Sequence, residues 1–176
     1  MTIAKKDIRE ISTEALENFF VKHNAPSFRA IQVQEWLWKH RKINFDEMTN
    51  LSIQDRHLLN QYFIVNSLKI IREDVSVDGT IKFLFSVDEK RSVEGVIIPQ
   101  LNRLTACISS QVGCSLSCTF CATGKLKLYK NLTSGEIYDQ VFLLNQYTLQ
   151  KFNRPISNIV FMGMGEPLLN IKNVLK

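Results

Sequence analysis

The spacing of apolar residues changes period near residue 67, and that change confines the chain to a helical region followed by a β-containing one. Before it, Ile11, Ala15, Leu16, Phe19 and Phe20 recur at helical spacing, with Ser12 or Thr13 placed to cap the segment. Pro26 ends the following turn, and Ser27 is expected to cap a second helix, F-R-A-I-Q-V-Q-E-W-L-W-K-H. A third helix is expected from Ser52, with Ser52 and Asp55 as a capping box ahead of H-L-L-N-Q-Y-F. Beyond residue 67 the period falls to two. L-K-I-I-R-E-D-V-S-V and T-I-K-F-L-F-S-V flank Asp78-Gly79, a hairpin signal, and S-V-E-G-V-I-I-P reads as a third strand.

From about residue 103 the order changes again. L-T-A-C-I-S-S is a short strand entering a cysteine-rich loop, and Thr133 or Ser134 caps a helix running to about Gln150. I-S-N-I-V-F-M reads as a buried strand ending in G-M-G-E-P, and N-I-K-N-V-L-K starts another helix. This strand–helix–strand order implies a parallel sheet with both conspicuous loops at strand C-terminal ends, hence neighbours in space. The expected organisation is a helical accessory domain over 1–66, a small antiparallel β region over 67–101, and the beginning of an α/β core over 102–176. Its loops lie at 111–124 and 163–167. Two βα units do not close a barrel, so the chain reads as the front part of a longer protein.

Composition removes several classes. No uncharged apolar run reaches membrane-spanning length, and the N-terminus M-T-I-A-K-K-D-I-R-E lacks an apolar signal core. Four cysteines, three of them clustered, are not a stapling pattern, so a cytosolic protein with ligand or redox cysteines is expected. The net charge is +5, and residues 121–176 hold most of it, with seven Lys or Arg against three Asp or Glu. That excess suits a polyanionic partner, while a solvated lysine-rich face is the plainer reading.

In Q-V-G-C-S-L-S-C-T-F-C-A-T-G, Cys114, Cys118 and Cys121 are spaced C-x₃-C-x₂-C. Structural zinc usually takes four ligands, but Cys107 lies mid-strand and His23, His40 and His57 all belong to the helical region. A redox pair of Cys118 and Cys121 would leave Cys114 without a role. A [4Fe–4S] cluster on three thiolates, with one iron open, uses all three; zinc and purely structural cysteines remain alternatives. In Gly163-Met164-Gly165-Glu166-Pro167, bare backbone can approach a small molecule, and Glu166 can accept hydrogen bonds from an ammonium group. A simple turn after a strand is the competing reading.

The cysteine spacing, with Phe120 just before the last cysteine, resembles the radical S-adenosylmethionine (SAM) enzymes. The longer stretches T-A-C-I-S-S-Q-V-G-C-S-L-S-C-T-F-C-A-T-G and N-I-V-F-M-G-M-G-E-P-L-L-N resemble the RlmN/Cfr family of radical-SAM RNA adenine methyltransferases. P-S-F-R-A-I-Q-V-Q-E-W-L-W and F-D-E-M-T-N-L-S resemble the accessory domain of its RlmN branch, so the likeness runs from about residue 10 to the end.

The resemblance implies the first units of a partial TIM-type barrel, with Cys114, Cys118 and Cys121 as cluster ligands. It places Phe120, Gly165 and Glu166 at S-adenosylmethionine, Glu94 as proton acceptor and Cys107 as a resolving thiol that pairs with a methyl-carrying cysteine. It further implies methylation at adenine C2 in 23S rRNA and in tRNA, two S-adenosylmethionines per turnover, an electron donor such as flavodoxin, and a cytoplasmic monomer. From the residues alone, Glu94 is an exposed strand residue and Cys107 a buried core thiol. No cysteine follows Cys121, so the carrier has no counterpart and this chain is expected not to turn over alone. The alternatives are a Cfr-like C8 methyltransferase and a non-catalytic RNA-binding module with a structural metal. The module would place Lys125, Lys127, Tyr129 and Lys130 on phosphates and stack bases on Trp36 or Trp38, although helical tryptophans are more often core.

Overall fold

Hydrogen-bonding side chains at helix starts and alternating apolar residues in strands build two units, Met1–Asn66 and Ser67–Lys176, in a computed structural model that describes residues 5–176. In the first unit β1 (Lys6–Asp7) leads into α1 (Thr13–Lys22), α2 (Arg29–Trp38) and α3 (Ile53–Tyr62), and β2 (Phe63–Ile64) returns to pair in parallel with β1. Ser12 caps α1 by accepting the Ala15 N–H. Leu16, Phe20, Ala30, Val33, Leu37 and Leu59 form the core, and Trp36 and Trp38 pack half-buried against it. Their indole N–H groups donate to Asn50 and Gln34.

Two helix starts differ from expectation. Ser27 does not cap α2: Phe28 occupies the cap position without a side-chain hydrogen bond. Pro26, Ser27 and Phe28 instead form a tight turn whose carbonyls take the Arg29, Ala30 and Ile31 N–H groups, leaving a capping hydroxyl little to do. Ser52 does cap α3, but the reciprocal half of the box is replaced. The Ser52 hydroxyl donates to the Asp55 carboxylate at 2.7 Å, since aspartate is one methylene shorter than the glutamate that reaches back in a capping box.

The second unit is built on one five-stranded sheet. β3 (Lys69–Val75), β4 (Ile81–Ser86), β5 (Ser92–Gln100) and β6 (Arg103–Cys107) form an antiparallel meander. A short ribbon of β7 (Gln111–Val112) and β8 (Lys130–Asn131) follows, then α4 (Ser134–Phe152) crosses over to β9 (Asn158–Val160), which pairs in parallel with β6; α5 (Ile171–Val174) comes last. The antiparallel strands over 67–101 and the parallel unit beyond therefore share one sheet, in the order β3-β4-β5-β6-β9.

Ile81, Phe83 and Phe85 alternate inward on β4 and meet Ile137 and Leu144 of α4 in a single core. Each such buried side chain contributes about 1.5–3 kcal/mol relative to exposure. Thr133 and Glu136 form a complete capping box at the start of α4. β9, read from the sequence as a buried strand, is the outermost strand of the sheet in this chain, and Ile159 is 46% exposed. Among the described residues no helix is long and apolar enough to cross a membrane.

Candidate active site

Both loops leave the sheet from adjacent parallel strands, the cysteine loop after β6 and the G-M-G-E-P turn after β9. The cysteine loop closes against its own return. Tyr129 N–H donates to the Val112 carbonyl at 2.8 Å, and Gly113 has φ +76°. A Cβ on Gly113 would lie 2.1 Å from the Lys127 carbonyl oxygen, so only glycine permits this crossing. Within the loop, Cys121 N–H donates to the Cys118 carbonyl and Leu116 N–H to Cys114 Sγ. Arg91 at the end of the β4–β5 turn stacks on the Tyr129 ring while its guanidinium pairs with Asp88.

All three loop cysteines are free and partly exposed. Among the described residues no three His, Cys, Asp or Glu side chains form a group that would hold one metal ion. The donor set itself suits a sulfur-ligated cluster: three thiols lie within eight residues, and residues 111–124 contain no imidazole or carboxylate. Phe120, expected beside the cofactor, is 91% exposed.

The G-M-G-E-P turn is held against the segment Ile108–Gln111 by a set of hydrogen bonds. Gly163 N–H donates to the Ile108 carbonyl, Met164 N–H to Ser109 Oγ, and both Ser110 and Gln111 N–H to the Met164 carbonyl. Gly165 has φ +92°, and a Cβ there would stand 2.4 Å from Gln111 Cβ. Glu166 N–H donates to Gln111 Oε1, while Glu166 Oε1 accepts the Leu168 N–H and starts a short 3-10 turn.

Glu94 sits on β5 opposite Leu84 of β4, and its carboxylate is 3.3 Å from Lys82 Nζ. It shares an open cavity of about 320 Å³ with Ala122, Thr123 and Leu126 of the cysteine loop and with Met164. One cavity thus joins a carboxylate, the cysteine loop and the glycine-rich turn. A second cavity, of about 380 Å³, opens on the same loop beside Cys114, Ser117, Lys125 and Lys127. Cys107 is buried on β6, facing Val96 of β5 and Val160 of β9. Burial pushes its thiol pKa up, and a hydrogen bond from the Met162 backbone partly opposes that.

Sequence reasoning missed the residues that tie these parts together. Ser109 is fully buried: its hydroxyl donates to the Glu94 carbonyl at 2.6 Å and accepts from Met164, and its backbone is held from both sides by the buried Gln140 amide. Asn170 donates to the carbonyls of Ser110 and Leu132. The available signal was the run S-S-Q, three polar residues between an apolar strand and Val112-Gly113, and a glutamine on the apolar face of α4.

Residues 6–65 match the family model described as the ribosomal RNA large subunit methyltransferase N-terminal domain. Over 98% of its length the chain is 51% identical to the probable dual-specificity RNA methyltransferase RlmN of Christiangramia forsetii, and over 99% it is 53% identical to the RlmN of Cytophaga hutchinsonii. It covers 49% and 48% of those proteins, so the chain spans about half the length of the curated relatives it matches. A radical SAM methyltransferase from Sphaerobacter thermophilus has the same fold over 97% of this chain and 50% of its own, with a TM-score of 0.77 and 34% identity.

Proposed function

The chain belongs to the RlmN family of radical SAM methyltransferases, and from that premise we propose that it forms the part of an RNA adenine-C2 methyltransferase that holds the cluster and the base-side carboxylate. The substrates are an adenosine in the peptidyl-transferase region of 23S rRNA and one beside the tRNA anticodon, with a flavodoxin-type electron donor in the cytoplasm. The mixed sheet and its β6–α4–β9 crossover are the opening of a partial TIM-type barrel. The whole protein acts as a monomer.

Cys114, Cys118 and Cys121 would hold the [4Fe–4S] cluster, and Gly165 and Glu166 the S-adenosylmethionine, with Phe120 at its edge. These bound groups supply the one-electron chemistry that makes a methyl carbon reactive toward an electron-poor ring position. The chain's own residues do the rest. Glu94, facing the cavity beside the cysteine loop, accepts the proton that leaves adenine C2 once the new carbon–carbon bond has formed. Lys82 Nζ, 3.3 Å from its carboxylate, orients it on the face of the sheet. The Glu166 carboxylate, restrained by its hydrogen bond to Leu168, receives the ammonium of the methionine moiety. Cys107 is the resolving thiol; its burial keeps the proton on sulfur until a methyl-carrying cysteine, which is not among the four cysteines here, comes within reach.

The observation that carries this reading is the cavity in which Glu94, Thr123 and Met164 meet. The test is anaerobic reconstitution of the full-length protein, followed by methylation of rRNA and tRNA and mass spectrometry of the nucleosides. About four irons per chain, absorption near ~400 nm and 2-methyladenosine are expected. A colourless zinc protein would overturn the cluster assignment, and 8-methyladenosine would overturn the regiochemistry.

A further inference from the structure

Gln111 is 1% exposed and spends its side-chain amide on two separate segments. Oε1 accepts the Glu166 N–H at 2.9 Å, and Nε2 donates to Asn131 Oδ1 at 2.8 Å. Its backbone N–H donates to the Met164 carbonyl, and its Cβ and Cγ fill the space where a side chain on Gly165 would stand, 2.4 and 2.7 Å from an added Cβ. Asn131 lies on β8, where the chain returns from the cysteine loop. The amide therefore bridges the exit of the cysteine loop and the turn that carries Glu166. Glu166 Oε1 is already committed to Leu168 N–H, so the direction of its carboxylate follows the backbone at 166.

We propose that Gln111 is a positioning residue for the amino-acid end of S-adenosylmethionine, setting the Gly165–Glu166 turn at a fixed place relative to the cysteine loop. The proposal rests on the reading that this turn receives S-adenosylmethionine. It concerns a residue that touches the turn and not the ligand, so its effect is on affinity and turn order, separate from cluster assembly.

The experiment uses the full-length protein with its cluster reconstituted, comparing wild type with Gln111→Met, Gln111→Glu and Asn131→Leu. Three quantities are read: iron per chain, S-adenosylmethionine Kd by equilibrium dialysis, and hydrogen exchange of the peptide spanning residues 163–168. Gln111→Met keeps the volume and removes both bonds, so Kd should rise about tenfold with the iron content unchanged and faster exchange at the turn. Gln111→Glu keeps an acceptor for the Glu166 N–H and, protonated at this buried site, a donor for Asn131 Oδ1, so at a pH below its raised pKa Kd should return to within about threefold of wild type. Asn131→Leu, at an exposed site that tolerates change, should raise Kd about threefold by freeing the Gln111 amide. A Gln111→Met protein that takes up its iron and binds within about twofold of wild type overturns the proposal alone. So does a Gln111→Glu protein as weak as Gln111→Met. A wild-type protein that carries its iron but does not bind S-adenosylmethionine overturns the assignment of the Glu166 turn, and the positioning role with it.

Discussion

Replacing Gln140 by leucine tests whether the segment entering the cysteine loop is held by α4. Gln140 is fully buried; its Oε1 accepts the Ser109 N–H at 2.9 Å and its Nε2 donates to the Ser109 carbonyl at 3.0 Å. Ser109 is equally buried, so neither backbone group can turn to water once the amide is gone. Two orphaned buried groups at about 1–3 kcal/mol each give an expected loss of about 2–5 kcal/mol after the apolar gain of leucine is allowed for. Both tryptophans lie in the first unit, so the assay is hydrogen exchange of the peptides covering β6, β7 and α4 in native conditions, not tryptophan fluorescence. A companion variant, Gln140→Glu, adds a pH signature. Burial would raise the pKa of the new carboxyl above about 4.3, because only the protonated form can donate to the Ser109 carbonyl. The stability it contributes is then fully present below that value and is lost as pH rises through the raised one. The leucine variant should show no such dependence. A leucine variant losing less than about 1 kcal/mol would refute the claim that this amide fixes Ser109.

Gly165→Ala combines a positive φ with a contact of 2.4 Å to Gln111 Cβ, and should cost about 2–5 kcal/mol, read as lost protection of the 163–168 peptide. In the iron-free chain, iodoacetamide should label Cys114, Cys118 and Cys121 well before buried Cys107, whose labelling should accelerate only above the ordinary thiol range, as followed by mass spectrometry. The raised pKa of Cys107 also means that its contribution to stability is complete below about pH 8.5 and is lost as pH rises through the higher folded value. A double-mutant cycle on Arg91→Ala and Tyr129→Leu should give a coupling of about 0.5–1 kcal/mol, with Tyr129→Phe keeping most of it because the ring face remains.

Local chemistry was legible where a residue acts on its own neighbours. Ser12 and Thr133 cap the helices that their positions suggested, and the hairpin at Asp78-Gly79 closes as its dipeptide implies, with Gly79 at φ +84°. Ser27 failed as a cap because the turn ahead of α2 already supplies backbone acceptors, a choice that capping preference cannot reveal. The segment at β9 reads as a buried strand, and in this chain, which spans about half the length of its relatives, it is the outermost strand of the sheet, with Ile159 46% exposed. The cysteine spacing and the glycine-rich turn were visible as motifs. That Glu94 shares a cavity with Thr123 and Met164 depends on the register of β4 with β5, which periodicity does not fix. Ser109, Gln111 and Gln140 were unreadable for a related reason: a buried polar residue is defined by partners 15 to 55 residues away.

The sheet changes direction once, at β6, and that imposes an order on assembly during synthesis. The meander from β3 to β6 joins sequence neighbours, so its strands can pair as soon as they emerge. β6 must then keep an open edge until β9 arrives, its partner pairs lying 53 residues apart. Until that docking, Ser109 and Gln111 have no Met164 or Glu166 to bind. The cysteine loop gains this wall only after the meander, so the nascent chain remains open at this place while the antiparallel strands are already formed.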